Sequence, residues 1–183
     1  QVFDISFLNT PFDHVNYGND FSFRTVLYFP GLLRHDGLKF KIGTEKQNPK
    51  KFLFYNTVDF PRGYKQIISE ELTAISGEYS VPLLYPDLNL FTLTYLKRFR
   101  GNVFIDYATG KRNHNLLNKT FYEDSQEYLS IGGGLLADVH FFRIPFPVSM
   151  GFEYAYLPYK ETYAIRFLFE MNIFGFAINQ GNF

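Results

Sequence analysis

The sequence predicts an all-β protein, an antiparallel transmembrane β-barrel, from three observations. Apolar and polar residues alternate with a period of two in one segment after another, which is the spacing of a strand with two different faces. Aromatic residues make up 20% of the 183 residues, with 23 Phe and 14 Tyr. Short connections that contain proline alternate with long polar ones, which is typical of outer-membrane barrels.

The alternation is clearest in residues 163–173. One face carries only large apolar side chains, such as Ile165 and Phe167, and the other face carries Arg166 and Glu170. Similar segments predict about eight strands, of the length (about 9–11 residues) that crosses a bilayer with tilt. They lie near residues 3–7, 21–29, 38–43, 74–83, 102–108, 129–141, 148–156 and 163–173.

A soluble sandwich or a lipocalin-like barrel is the alternative, because its strands also alternate and bury their apolar face. Two features favour the membrane barrel. The polar face is rich in Gly, Ser, Asn and isolated charges, as a wet lumen would be. The apolar face is crowded with Phe and Tyr near the strand ends, as in the aromatic girdles of membrane barrels.

Composition excludes several classes of function. The formal net charge is zero, so no overall field draws the chain to nucleic acid. Cysteine is absent, which rules out disulfides and thiolate chemistry. The four histidines show no metal-ligand spacing, and no cofactor motif is present. Ser130, Asp138 and His140 are interpreted as lumen lining rather than a catalytic triad, so the sequence predicts no enzyme.

The predicted connections differ in length. Short turns with proline fall at 29–31, 85–87 and 144–147, and long polar loops are expected at 45–69 and 109–127. No run of about 18 apolar residues predicts a spanning helix. The chain begins at Gln1 without a start methionine, so we expect an export signal upstream.

Three short motifs follow one another along the chain. Arg62, Gly63 and Tyr64 lie in the first long loop. Glu78 opens a Glu-aromatic-x-x-Pro pattern on one strand, and Phe104-x-Asp106 follows on the next. Both acids fall on the polar faces of their strands. A guanidinium is planar and suits forked contact with a carboxylate, so Arg62 could pin the loop to Glu78 and Asp106. The alternative is that Arg62 is solvated in the loop and that Glu78 and Asp106 each face water in the lumen.

The order of these motifs resembles the barrel of the surface-antigen superfamily, which includes the outer-membrane barrel-assembly insertase and the two-partner secretion transporters. The resemblance implies that an Arg-Gly-aromatic loop tip folds into the lumen and that its arginine meets the two acids. Residues 1–183 would form the C-terminal part of one barrel domain, the last half of a sixteen-stranded barrel. Upstream strands and any periplasmic domains would lie outside this chain. Pro61 and Ala108 depart from the family pattern.

A further motif concerns assembly of the barrel. Ser149, Gly151, Tyr154 and Tyr156 resemble the polar-x-Gly-x-x-aromatic-x-aromatic β-signal that assembly machinery recognises. That signal normally marks the last strand, whereas another strand is predicted after it. Residues 175–183 lack clean alternation, so their conformation, strand extension or plug, stays open.

The resemblance implies a location in the outer membrane of a Gram-negative-type bacterium. The sequence also resembles the C-terminal barrels of outer-membrane proteins from Bacteroidetes-type bacteria. The first expected function is insertion or translocation of polypeptides, and no covalent chemistry is needed for it. The alternatives are an anchor or scaffold for upstream periplasmic domains, and the barrel of a fused lipase-like enzyme. The expected partners are outer-membrane lipids, other outer-membrane or periplasmic proteins and the rest of the barrel, and no nucleic acid.

Overall fold

The computed structural model describes residues 1–8, 18–33, 35–49, 54–90, 93–115, 121–141, 147–173 and 176–180. These residues form one antiparallel sheet of ten strands. Within them, no helix is long and apolar enough to cross a membrane. The strands are β1 (Val2–Leu8), β2 (Gly18–Pro30), β3 (Gly37–Pro49), β4 (Glu71–Leu84), β5 (Leu88–Leu90), β6 (Thr94–Asn115), β7 (Phe121–Phe141), β8 (Val148–Leu157), β9 (Thr162–Ile173) and β10 (Phe176–Gln180).

Neighbouring strands in the sheet are neighbours along the chain. The order is β1-β2-β3-β4-β6-β7-β8-β9-β10, and the short β5 pairs with β6 beside this path. Among the described residues no pairing joins β1 to β10, so the sheet is open at both edges. The predicted all-β, antiparallel architecture is therefore confirmed, whereas a closed barrel is not formed by these strands.

The strand count exceeds the predicted eight because two short strands show no alternation in the sequence. Strand β5 spans only Leu88–Leu90, which is too short to show a period. Strand β10 falls in the segment whose conformation was left open, and it pairs with β9 from Phe176 opposite Ile173 to Gln180 opposite Phe169. Residues 175 and 181–183 lie outside the described residues.

The predicted long loop at 109–127 is wrong over its described residues. Strands β6 and β7 stay paired from Thr109 opposite Glu127 to Asn115 opposite Phe121. The sequence there is mostly polar, so the alternation disappears, but backbone hydrogen bonding continues without it. The predicted loop at 45–69 also begins later, because β3 extends to Pro49. Of the expected turn at 144–147, only Pro147 is described.

The sheet exposes its apolar face and buries its polar face, which is the reverse of the usual arrangement. Large apolar side chains are exposed on one face: Phe152 is 63% exposed, and Ile105 and Phe167 are each 52% exposed. The opposite face holds buried polar side chains, among them Asp106 and Glu153, both 4% exposed. We call these the outer and the inner face. A soluble sandwich would show the opposite arrangement.

Residues 54–70, which connect towards β4 without regular structure, cover the inner face. Val58 packs there with Leu72, Ala108 and Tyr128 in one small apolar cluster. A second cluster joins residues of β6 and β8, and Tyr64 packs against both clusters. We call residues 54–70 the inner loop. Its apolar contacts are the main hydrophobic core of the described chain.

Candidate functional site

The tip of the inner loop is Arg62, and its guanidinium meets β6 in a forked contact. Arg62 Nε lies 2.8 Å from Asp106 Oδ2, and Arg62 Nη2 lies 2.9 Å from Asp106 Oδ1. The backbone N–H of Arg62 donates to the same carboxylate at 3.1 Å. Such charge-assisted, bidentate contacts are stronger and more directional than ordinary hydrogen bonds. The loop tip is thereby fixed in position and in orientation.

Two further acids on other strands complete the contact. Arg62 Nη1 donates to Glu78 Oε2 of β4 at 3.0 Å and to Glu153 Oε2 of β8 at 3.3 Å. The sequence motifs named Glu78 and Asp106 as partners, and the structure brings both to Arg62. Glu153 was missed, although the alternation of β8 places it on the inner face. One guanidinium that reaches β4, β6 and β8 favours a sheet that curves around the loop.

The ring of Phe104 forms the floor under the guanidinium. The Arg62 Cζ atom lies 3.5 Å from the centre of this ring, which gives a cation–π contact. Phe104 is 4% exposed, so water is excluded from this side of the charge. Ser76 Oγ donates to Asp106 Oδ1 at 2.6 Å and holds the carboxylate from β4.

The site is an ionic network that is largely removed from solvent. The Arg62 side chain is 15% exposed and that of Asp106 is 6% exposed. Burial alone would lower the pKa of Arg62, but the hydrogen bonds and charge of Asp106, with Glu78 and Glu153, raise it above its ordinary value. The arginine is therefore permanently charged. Glu153 also accepts from Arg166 Nη2 at 2.5 Å, so its charge is shared with β9.

Gly63 turns the chain where no side chain fits. Its φ is +84°, a left-handed conformation that glycine adopts freely. A Cβ atom there would lie 3.0 Å from Leu157 and 3.2 Å from both Ala155 and Ala164. The tip therefore rests directly on small side chains of β8 and β9.

Tyr64 completes the tip. Its hydroxyl donates to the Leu129 carbonyl at 3.0 Å, and its ring packs edge-on against Phe60 and Tyr128. The Lys160 Nζ atom lies over this ring, 5.1 Å from its centre. Burial raises the pKa of Tyr64, and the hydrogen bond to Leu129 offsets only part of this. The hydroxyl stays protonated and keeps its donor role.

A second ionic group lies further along the inner face of β6, β7 and β8. Asp138 accepts from Arg98, from Arg100 Nη2 at 2.9 Å and from Ser149 Oγ at 2.6 Å. Arg98 and Arg100 have the same parity as Phe104 and Asp106 on β6, so alternation places both arginines on the inner face, and the irregularity between Leu96 and Arg98 lies before them. Ser130 Oγ makes no hydrogen bond among the described residues. The geometry thus ties Asp138 to arginines rather than to a catalytic serine.

The β-signal-like residues divide between the two faces of β8. Ser149 belongs to the ionic group on the inner face. Tyr154 and Tyr156 point outward and are 47% and 43% exposed. Gly151 lies where β8 approaches β7 so closely that a Cβ would meet the Leu135 carbonyl oxygen at 1.9 Å. The pattern therefore combines a polar contact inside, a close backbone approach and an aromatic outer surface.

Substituting Gly151 tests this close approach. Gly151→Ala should displace the backbone and cost about 1–3 kcal/mol, because the new methyl group overlaps a carbonyl oxygen of β7. The measurement is the fraction of chains that resists limited proteolysis. Gly77→Ala is the matched control, since a Cβ there meets its nearest atoms at 3.5 Å or more. Equal losses in both variants would contradict a specific role for the approach at Gly151.

The described residues contain no group of three or more His, Cys, Asp or Glu that could hold a metal ion. What the site offers chemically is a charge network that fixes the tip of the inner loop. Comparison with known proteins found no matching family model, no matching curated protein and no matching solved structure.

Proposed function

We propose that this chain is the C-terminal part of a transmembrane β-barrel in a bacterial outer membrane. The observation that carries the proposal is the reversed burial of the sheet. Side chains such as Phe167 and Ile165, 52% and 67% exposed, would cost free energy in water and be favourable in lipid. The inner face, with its buried acids and arginines, has the character of a lumen wall.

The distribution of aromatic residues supports the same proposal. On the outer face, Tyr107, Tyr156 and Tyr163 lie toward the strand ends that adjoin the inner loop, and Tyr154 and Tyr163 stack with ring centres 5.9 Å apart. Further along these strands the outer side chains are Phe, Ile, Val and Met. Tyrosine at the edge of an apolar band is typical of the membrane interface, where one end of the ring is wet.

The contacts of Arg62 support membership of the surface-antigen superfamily. An Arg-Gly-aromatic tip that reaches across the inner face to a Glu and an Asp on neighbouring strands is the arrangement that the resemblance implied. The partner acids lie 16 and 44 residues away along the chain. An arginine solvated in the loop would not bring these two acids together, and exposed ion pairs contribute little to stability.

The function that this arrangement supports best is insertion or translocation of polypeptides at the outer membrane. The open edges at β1 and β10 require partners, because unpaired backbone groups cannot face lipid. We propose that upstream strands of the same barrel occupy these edges. The remaining partners would be outer-membrane lipids and other outer-membrane or periplasmic proteins. The site needs no cofactor for this function.

The test is a folding assay in liposomes that contain the whole protein. A urea-unfolded outer-membrane protein is added, and its rate of folding into the bilayer is measured. We expect an acceleration of about tenfold or more over liposomes with an unrelated barrel, equivalent to lowering the barrier by about 1.4 kcal/mol.

No acceleration would contradict the insertion function and favour an anchor or scaffold for periplasmic domains. Release of fatty acid from the liposomes in the same samples would favour the barrel of a lipase-like enzyme. The proposal that the chain spans a membrane is tested separately, by whether the protein stays in the liposomes after extraction with urea.

A further inference from the structure

The inner loop is held at its base as well as at its tip, and the base contacts centre on Glu45. This side chain lies on the inner face of β3 and is 1% exposed. Its Oε1 accepts from Gln47 Nε2 and Asn56 Nδ2, each at 2.9 Å. Its Oε2 accepts the backbone N–H groups of Thr57 at 2.7 Å and Val58 at 3.0 Å. A buried carboxylate thus receives hydrogen bonds from three consecutive loop residues.

Side chains also close the base of the loop on itself. Asn56 Nδ2 donates to the Ser69 carbonyl at 3.0 Å, and the Ser69 N–H donates to Asn56 Oδ1 at 2.8 Å. Gln47 bonds in the same two-way manner to the backbone N–H and carbonyl of Phe54, both at 2.9 Å. The side-chain amides of Asn56 and Gln47 thus make the paired donor and acceptor contacts that a backbone peptide group makes in a sheet. The base keeps its shape without regular secondary structure.

Apolar packing adds to the hydrogen bonds at the base. Val58 is 3% exposed and lies above Gly43, where a Cβ would come within 2.7 Å of a Val58 methyl group. The absence of a side chain at Gly43 therefore lets the loop approach β3 closely. The hydrogen bonds to the Glu45 carboxylate hold residues 56–58, and the contact with Gly43 acts on Val58 as well.

The hydrogen bonds of the base and those of Arg62 share no partner, although Val58 of the base and Tyr64 of the tip both pack in the apolar cluster around Tyr128. Arg62 contacts acids on β4, β6 and β8, whereas Glu45 contacts residues of β3 and of the loop itself. Interactions without shared partners usually contribute independently to stability. Three residues, 59–61, separate the two sets of contacts along the chain.

We propose that the inner loop is seated by two anchors that act independently, with Glu45 as the positioning residue of the base. The tip around Arg62 leaves the inner face while residues 54–58 remain in place. Any movement of the loop during function is then confined to its tip. This proposal goes beyond the proposed function and does not depend on the barrel spanning a membrane.

The test uses single cysteine reporters in the whole protein, because this chain has no cysteine of its own. Val58→Cys reports on the base. Ala155→Cys reports on the tip, since Ala155 is 3% exposed and lies under Gly63. Each reporter is combined with Glu45→Gln or with Arg62→Ala, and the rate of labelling by a bulky maleimide is measured.

We expect Glu45→Gln to increase labelling of the base reporter by about tenfold or more. The NH2 group of the glutamine amide is a donor, so it cannot accept the hydrogen bonds that one carboxylate oxygen of Glu45 accepts from the loop. Labelling of the tip reporter should stay unchanged. Arg62→Ala should do the reverse. Glu71→Gln is the matched control: Glu71 forms an exposed ion pair with Lys46, and its loss should change neither reporter.

Two outcomes would overturn the proposal. If either variant exposes both reporters, the loop has a single cooperative anchor, and if Glu45→Gln exposes neither, Glu45 does not position the base. Should Glu45→Gln fail to fold, a Gly43→Cys/Val58→Cys disulfide replaces its anchor, because the two Cβ atoms lie 3.5 Å apart. In that disulfide-bonded protein Arg62→Ala must still increase tryptic cleavage at the exposed Lys65, and an unchanged cleavage rate would refute independent anchors.

Discussion

Phe167→Arg should prevent most of the protein from assembling into a membrane. Phe167 is 52% exposed on the outer face of β9, and its ring packs edge-on against Phe152 with centres 5.4 Å apart. A cationic side chain near the bilayer midplane costs about 2–4 kcal/mol. The measurement is the fraction of protein that resists extraction from outer-membrane vesicles by urea.

Two controls separate the charge from the lost packing. Phe167→Ala removes the aromatic pair, worth about 0.5–1.5 kcal/mol, without adding charge. Tyr159→Arg adds the same charge to an equally exposed aromatic position, 55% exposed, in the turn between β8 and β9. We expect a mild loss in the first and none in the second. A Phe167→Arg protein that folds in water and becomes more soluble would contradict a lipid-facing outer surface.

Arg62→Ala should destabilise the folded protein by about 3–5 kcal/mol, because it leaves buried acids without their counter-charge. Asp106 and Glu153 are each 4% exposed. Arg62→Lys should recover only part of the stability, since an ammonium group cannot make the forked contact with Asp106. The measurement is the urea concentration at the unfolding midpoint in detergent, with the unfolding slope checked for constancy.

A double-mutant cycle between Arg62→Ala and Asp106→Ala isolates this pair. We expect a coupling free energy of about 0.5–3 kcal/mol, the range for residues in one ionic network. Arg24→Ala with Asp4→Ala is the matched control, because that pair has similar distance, 2.7 Å, but both side chains are 42–50% exposed. A coupling near zero for Arg62 and Asp106 would leave the Arg-Gly-Tyr motif without a structural role.

The sequence pattern predicted that Glu78 and Asp106 lie together, whereas the contact of Arg62 with them was what the resemblance implied. Alternation assigns each residue of a strand to a face, and β4 and β6 are neighbours in the sheet, so both acids point to the same place. Glu153 has the same parity on β8, yet nothing local indicates that β8 curves back to the tip of a loop 91 residues earlier. That contact depends on the curvature of the sheet.

Glu45 escaped prediction because alternation of apolar residues ends before the strand does. Residues 44–49 of β3 are Thr, Glu, Lys, Gln, Asn and Pro, which read as loop, although each through Pro49 pairs with β2. The same effect hid the long paired ends of β6 and β7. Backbone pairing does not need an apolar face, so the ends of such strands are invisible to a hydrophobic pattern.

The order of the strands has a consequence for folding. Each strand along the main path pairs with the one that precedes it, so the sheet can grow hairpin by hairpin with small losses of chain entropy. The tip of the inner loop is different, because its partners arrive 16, 44 and 91 residues away from Arg62. Its charge is fully matched only after β8 has joined the sheet. An intermediate that lacks β8 therefore leaves the charge of Arg62 only partly compensated. Pairing of β8 completes the ionic network, so these contacts favour the last steps of folding.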